Sequence, residues 1–355
     1  MSKKNSELRT AEPKNETSQR HHLEHNELSS SAKKSMTTRI ISAIILISVV
    51  VPSIFLGDWI YFGLMIIALG FACFEILGCA GKRTFVIYII YFLFVTLLAI
   101  WPMFRGIVLD SASFSKVDPY FKSLYLPIII VVIGSFLLFW LTVIYKDFSV
   151  VDASFLIAMA ILIGFGFQCL FFLRYYPMVR IGSTATEAWH FQVDNTVLPS
   201  LLIIFVFLSA VMTDTGAYFV GVFFGKTKMS ERISPKKTWE GFFGGIIISF
   251  IVCSLVGIAL AFSGHPILDF FDSTHWYNIL IISFITPFFA TLGDFVFSSI
   301  KRYWGIKDYG KLIPGHGGVL DRLDSIFFAA IIASIVVFVI SNITATDVQW
   351  ENILV

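Results

Sequence analysis

Apolar residues along this chain come in long runs of roughly 16 to 25 positions, not in the alternation of a half-buried strand or the three-four spacing of an amphipathic helix. As helix, such a run crosses the roughly 30 Å of hydrocarbon in a bilayer. Only helices and closed barrels satisfy their backbone there, and these runs are too long and too uniform for barrel strands. The pattern predicts an all-α, polytopic transmembrane protein with nine spans. They fall at about residues 40–57, 59–80, 84–104, 125–145, 153–173, 197–218, 242–262, 277–297 and 326–341. Polar residues 1–36 lack apolar periodicity and read as a disordered tail, with no cleavable signal peptide expected ahead of it. The remainder divides into N-terminal transmembrane helices, 37–196, and a C-terminal transmembrane region, 197–355, with long polar loops at 224–241 and 298–325.

Composition agrees: of 355 residues, 57% are hydrophobic and 14% charged, far from a soluble domain. The net charge of +2 says little, but its distribution orients the chain. With the N-terminus inside, 21 of the 26 Lys and Arg fall on cytoplasmic segments. Arg105, Lys116, Lys122, Arg174 and Arg180 fall on the opposite side, so the positive-inside rule puts the N-terminus in the cytoplasm and the C-terminus outside. The four cysteines lie inside apolar runs and read as packing residues. His21, His22 and His25 read as a solvated stretch of the tail. Without an internal repeat, an inverted-repeat transporter is disfavoured.

The two long polar loops carry ten basic residues, more chemistry than a topology signal needs. Within SSIKRYWGIKDYGKLIPGHGGVLDRLD, from Ser298 to Asp324, and just upstream of it, Asp294, Ser298 and Lys301 share one helical face. Asp321 and Asp324 follow at the start of the ninth span. Carboxylates at the edge of hydrocarbon require a cation, a basic side chain or water. Combined with Lys301, Arg302, Lys307, Lys311 and Arg322, they suit magnesium together with a polyphosphate. Gly315, Gly317 and Gly318 around His316 allow the close backbone approach an anion-binding loop uses.

A second cluster surrounds Asp214, a carboxylate inside an otherwise apolar helix. It could reach a cation or make a helix-helix hydrogen bond. Gly216, Gly221 and Gly225 read as close-packing positions. Phe224-Gly225-Lys226-Thr227 is not a P-loop, because Val220 stands where that motif needs glycine. Ser234 to Gly241, with Lys236 and Lys237, reads as a turn opening into the seventh span, a geometry that attracts phosphate. Glu75, near the inner end of the second span, admits a structural or an active-site role.

The segment 298–324 resembles the signature of the phosphatidate cytidylyltransferases, or CDP-diacylglycerol synthases. That pattern reads Ser-x-aliphatic-Lys-Arg, four residues, Lys-Asp, x, small, then His-Gly-Gly-aliphatic-x-Asp-Arg-aliphatic-Asp. Ser298, Ile300, Lys301, Arg302, Lys307, Asp308, Gly310, His316, Gly317, Gly318, Val319, Asp321, Arg322, Leu323 and Asp324 meet every constrained position. The stretches from Asp214 and Ser234 also look like the family's, so detailed similarity covers about 200–330. The N-terminal half matches in hydropathy and in the pair Phe74-Glu75.

The resemblance implies a magnesium-dependent membrane nucleotidyltransferase of phospholipid biosynthesis, joining CTP to phosphatidic acid in the bilayer to give CDP-diacylglycerol and pyrophosphate. It assigns the metal to Asp294 and Asp321, and catalysis to these with His316 and Lys301. Lys237, Lys301, Arg302, Lys307, Arg322, Ser298 and Asp214 are expected to bind substrate, while Lys236 fills a variable position. A second cation such as potassium and a homodimer are compatible with this reading; a nucleic-acid partner is not expected. The active site would face the cytoplasm, at the plasma membrane in a bacterium. The rivals are a CTP-dependent polyprenol or lipid kinase and a membrane ion transporter.

Overall fold

In the computed structural model, the residues described are 30–109, 119–180 and 200–344, with side chains for 37–57, 59–102, 126–177 and 200–343. Residues 1–29 of the polar tail, most of both outer loops and the extreme C-terminus lie outside them, whereas residues 30–36, expected to belong to a disordered tail, fall in the first helix. The expected outer-side residues Arg105, Lys116, Lys122 and Arg180 therefore have no described side chains.

Among the described residues are nine helices long and apolar enough to cross a membrane. They are α1 (Ser30–Leu56), α2 (Asp58–Cys79), α3 (Phe85–Leu109), α4 (Pro119–Ile144), α5 (Val150–Arg180), α6 (Ser200–Phe224), α7 (Trp239–Phe262), α8 (Trp276–Tyr303) and α9 (Leu320–Thr344). Each overlaps one expected span, so the all-α polytopic reading holds. The helices outrun the apolar runs where polar residues follow. Helix α8 continues through Lys301 and α9 begins at Leu320, placing Asp294, Ser298, Lys301, Asp321 and Asp324 on regular helix. Periodicity in hydrophobicity does not register such polar helical turns.

Residues 224–241 differ more from expectation. In place of a simple turn they form an antiparallel hairpin of β1 (Lys228–Ser230) and β2 (Ser234–Thr238). Thr238 then caps α7, its hydroxyl accepting the Gly241 N–H at 3.2 Å. Such a cap satisfies one of the four amides a helix start leaves unpaired. The Glu240 carboxylate accepts the Thr227 N–H and so fastens the hairpin to that first turn.

Small residues let α6 and α7 approach closely, as in many membrane helix pairs. A Cβ on Gly216 would stand 3.1 Å from the Gly245 backbone, and one on Gly241 would stand 2.8 Å from the Ala217 carbonyl. The packing expected of Gly216 and Gly221 is what the structure shows. Cys73, Cys79 and Cys253 are buried free thiols and Cys169 is partly buried, consistent with packing.

Contacts gather the basic loops at one end of the bundle. There α1 reaches the 313–318 turn, the α2–α3 turn reaches the α4–α5 turn, and the hairpin reaches α8. At the opposite end Arg174 is buried, not solvated: its guanidinium donates to the Ile54 carbonyl at 2.8 Å and packs beneath Gly57.

Candidate active site

Helices α6, α7 and α8 and the hairpin enclose a cavity of about 450 Å³. Its polar lining is Asp214 from α6, Ser234, Lys236, Lys237 and Thr238 from β2, and Thr291 and Asp294 from α8. Asp214 and Asp294 each sit in the C-terminal half of a long apolar helix, where a carboxylate is tolerated because it faces a polar cavity and not lipid. The hairpin then folds its two lysines over that cavity.

Lys237 pairs with Asp294 through Nζ and Oδ2, and its ammonium lies 4.3 Å from the centre of the Phe295 ring. The pair is open to exchange, with side chains 28% and 25% exposed. Ser298, one turn on, approaches the second Asp294 oxygen at 3.3 Å. Asp214 interacts electrostatically with Asp294, Lys237 and Arg322 and lies within reach of the Ser325 hydroxyl. Asp214, Lys237, Asp294 and Ser298 thus come together as one cluster, and Lys236 joins them at the cavity wall.

Asp321 belongs to a different knot. Its Oδ1 accepts Lys301 at 2.9 Å, and its Oδ2 accepts the N–H groups of Tyr309 at 2.8 Å and Gly318 at 3.0 Å. These side chains are 10% and 3% exposed. Asp324 lies 3.8 Å from the same ammonium and interacts electrostatically with Asp294 and Asp214, bridging knot and cavity.

The other expected residues are dispersed. His316 caps a tight turn in which Ile313 and Gly317 exchange backbone hydrogen bonds, with positive φ at Gly315 and Gly317. Its Nδ1 lies 2.7 Å from Ser42 Oγ on α1. Partial burial and the charges of Arg322 and Arg39 hold His316 below the ordinary histidine pKa, against a backbone hydrogen bond at Pro314. Arg302 ties α8 to the hairpin, donating to the carbonyls of Ile233 and Ile306 at 3.1 Å. Lys307 lines a separate cavity of about 580 Å³ beside Arg83, Lys311 and Glu75. Arg322 is exposed at the start of α9.

Magnesium takes oxygen ligands, keeps waters and commonly uses one or two carboxylates plus substrate phosphates. Among the described residues no group of three His, Cys, Asp or Glu could hold a metal unaided. Asp294 and Asp214, hard oxygen donors on one cavity, fit a magnesium ion carried by a polyphosphate. Asp321, as arranged, has both oxygens occupied by protein donors.

Sequence reasoning left out Ser42 and did not settle Glu75. Glu75 is buried and accepts the N–H groups of Val319 and Leu320, each at 2.9 Å. Its position inside an apolar run was the available signal. Nothing local marks Ser42, whose partner lies 274 residues away.

The cytidylyltransferase family's sequence profile matches residues 37–340, extending the similarity through the N-terminal helices. Relatives include phosphatidate cytidylyltransferases of Staphylococcus saprophyticus, 39% identical over 195 residues, and of Staphylococcus haemolyticus and Staphylococcus aureus, both 37% identical over 195 residues. Each alignment covers 55% of this chain and 63% of the relative. The profile spans most of the described helices, including both carboxylate clusters, and the chain belongs to the cytidylyltransferase family.

Proposed function

We propose that this protein transfers CMP from CTP to phosphatidic acid, forming CDP-diacylglycerol and pyrophosphate, at the cytoplasmic face of the membrane. The observation that carries this reading is the cavity beside Asp294, where two lysines and two carboxylates meet. It lies at the end of the bundle where the basic loops gather, which the positive-inside rule assigns to the cytoplasm. Family membership and the activity for which the relatives are named support the same chemistry.

In the reaction, a phosphate oxygen of the lipid attacks the α-phosphorus of CTP. The bond from that phosphorus to the bridging oxygen breaks, and pyrophosphate leaves with the electron pair. No covalent enzyme intermediate is required, so catalysis rests on positioning and charge neutralisation. Lys237 can exchange its bond to Asp294 for a phosphate oxygen, and Lys236 offers a second ammonium at the same wall. Asp294 and Asp214 would hold magnesium together with the nucleotide phosphates, and Asp321 could join Asp294 only by releasing Lys301. Magnesium supplies Lewis-acid stabilisation of charge on the transferred phosphoryl group. A second cation such as potassium belongs to this proposal, and a homodimer is compatible with it.

The test is steady-state turnover of purified protein in detergent or vesicles. Pyrophosphate release should require both CTP and phosphatidic acid, with ATP failing to replace CTP. Release of CDP on a lipid alcohol would assign the protein to kinase chemistry instead.

A further inference from the structure

We propose that Glu75, on α2, is a positioning residue of the nucleotidyl-transfer apparatus, holding the backbone of the Asp321–Lys301 fastener that ties α9 to α8, the helix carrying Asp294; the catalytic part rests on the function proposed above. Three successive amides at the start of α9 are divided between two carboxylates. Asp321 takes the Gly318 N–H, while Glu75 takes those of Val319 and Leu320. The first amides of a helix have no partner within it and favour negative charge. Gly317, Gly318 and Val319 provide no capping side chain just before α9, so the cap comes from 245 residues away.

The surroundings are shaped to admit this carboxylate. A Cβ on either Gly310 or Gly318 would collide with Glu75. Glu75 is 3% exposed, which leaves it little freedom to drift from its two amides. A nearby Asp or Ser could have capped the helix. A cap from α2 instead clamps the 310–320 loop between the N-terminal helices and the α8–α9 unit. Movement at Leu320 would shift Asp321, and through it Lys301 and Tyr309.

Glu75→Gln, Glu75→Ala and Glu75→Asp separate positioning from bulk stability. Glutamine keeps one acceptor and turns an NH2 toward the other amide; aspartate keeps both acceptors but is one methylene shorter. For Glu75→Gln we expect kcat per folded molecule to fall at least ~10-fold, because angstrom-scale misplacement is costly. The KM for CTP should change less than about threefold, and aspartate should recover part of the loss. Hydrogen-deuterium exchange over 313–322 should rise in Glu75→Gln, a readout that needs no activity. Unchanged exchange there, or activity loss that only tracks the folded fraction in all three variants, overturns the proposal. A wild-type protein that does not transfer CMP overturns the functional reading and the catalytic part of this proposal. Exchange then still upholds or overturns the anchoring.

Discussion

Two lysine-carboxylate pairs share helix α8, one reaching it from the hairpin and the other joining it to α9, and they differ in what they can do. Lys237 and Asp294 meet at the wall of a cavity with about a quarter of each side chain exposed, whereas Lys301 and Asp321 are nearly sealed. The first pair can trade its partner for a phosphate or a cation, because water and ligand reach it. The second is saturated by an ammonium and two backbone N–H groups, so removing one member strands a buried charge. Identical chemistry is thus open to a ligand in one place and tied to the backbone in the other; in the proposed reaction the first is the site and the second a fastener. Exposure, more than residue type, draws the line.

The largest effect should come from the open pair. Asp294→Asn is expected to lower turnover at least ~100-fold, the scale of losing a major transition-state contact, with a thermal midpoint close to wild type. The sealed pair should respond in the opposite sense. Asp321→Asn should cost up to roughly 3 to 5 kcal/mol of stability, because Lys301 keeps only its 3.8 Å contact to Asp324 and two buried amides lose a charged acceptor, read by thermal unfolding in detergent. A variant that unfolds normally but has lost turnover would move Asp321 into the reaction site and erase the comparison.

A finer cut compares the hairpin lysines. Lys237→Ala should reduce kcat/KM for CTP by about 100-fold and Lys236→Ala by about tenfold, since the first loses a contact coupled to Asp294 and the second a more peripheral charge. Equal effects would mean that the hairpin acts only through total charge.

The smallest expected effect is the pH response of His316. Its folded pKa lies below the ordinary value, so the unfolded chain binds the proton first as pH falls. Stability from this group should be intact above the ordinary histidine pKa. It should decline as pH drops from that value toward the lowered one. His316→Gln should flatten that part of the thermal-midpoint profile; an unchanged slope would place the titration elsewhere.

Much of the architecture was legible in the sequence because hydrocarbon imposes a length and a composition on every span. The 298–324 segment was legible for a related reason: charges beside long apolar runs need explaining. The hairpin at 228–238 was not, since its strands are three and five residues long and mostly polar. Nor could sequence separate Asp294 from Asp321, because the difference lies in the donors Tyr309 and Gly318 and in burial. Contacts from the N-terminal helices were hidden for a geometric reason. Ser42 and Glu75 meet partners 274 and 244 residues away, beyond any periodic pattern.

The fate of labelled phosphate tests the central claim most directly. CTP labelled at the α-phosphate and, separately, at the γ-phosphate would be incubated with wild-type protein, magnesium and phosphatidic acid. Cytidylyl transfer predicts that the α-label enters the lipid fraction while the γ-label is recovered in pyrophosphate, with both losses blocked by chelating the metal. Appearance of the γ-label in lipid with release of CDP, or retention of both labels in CTP, would contradict it.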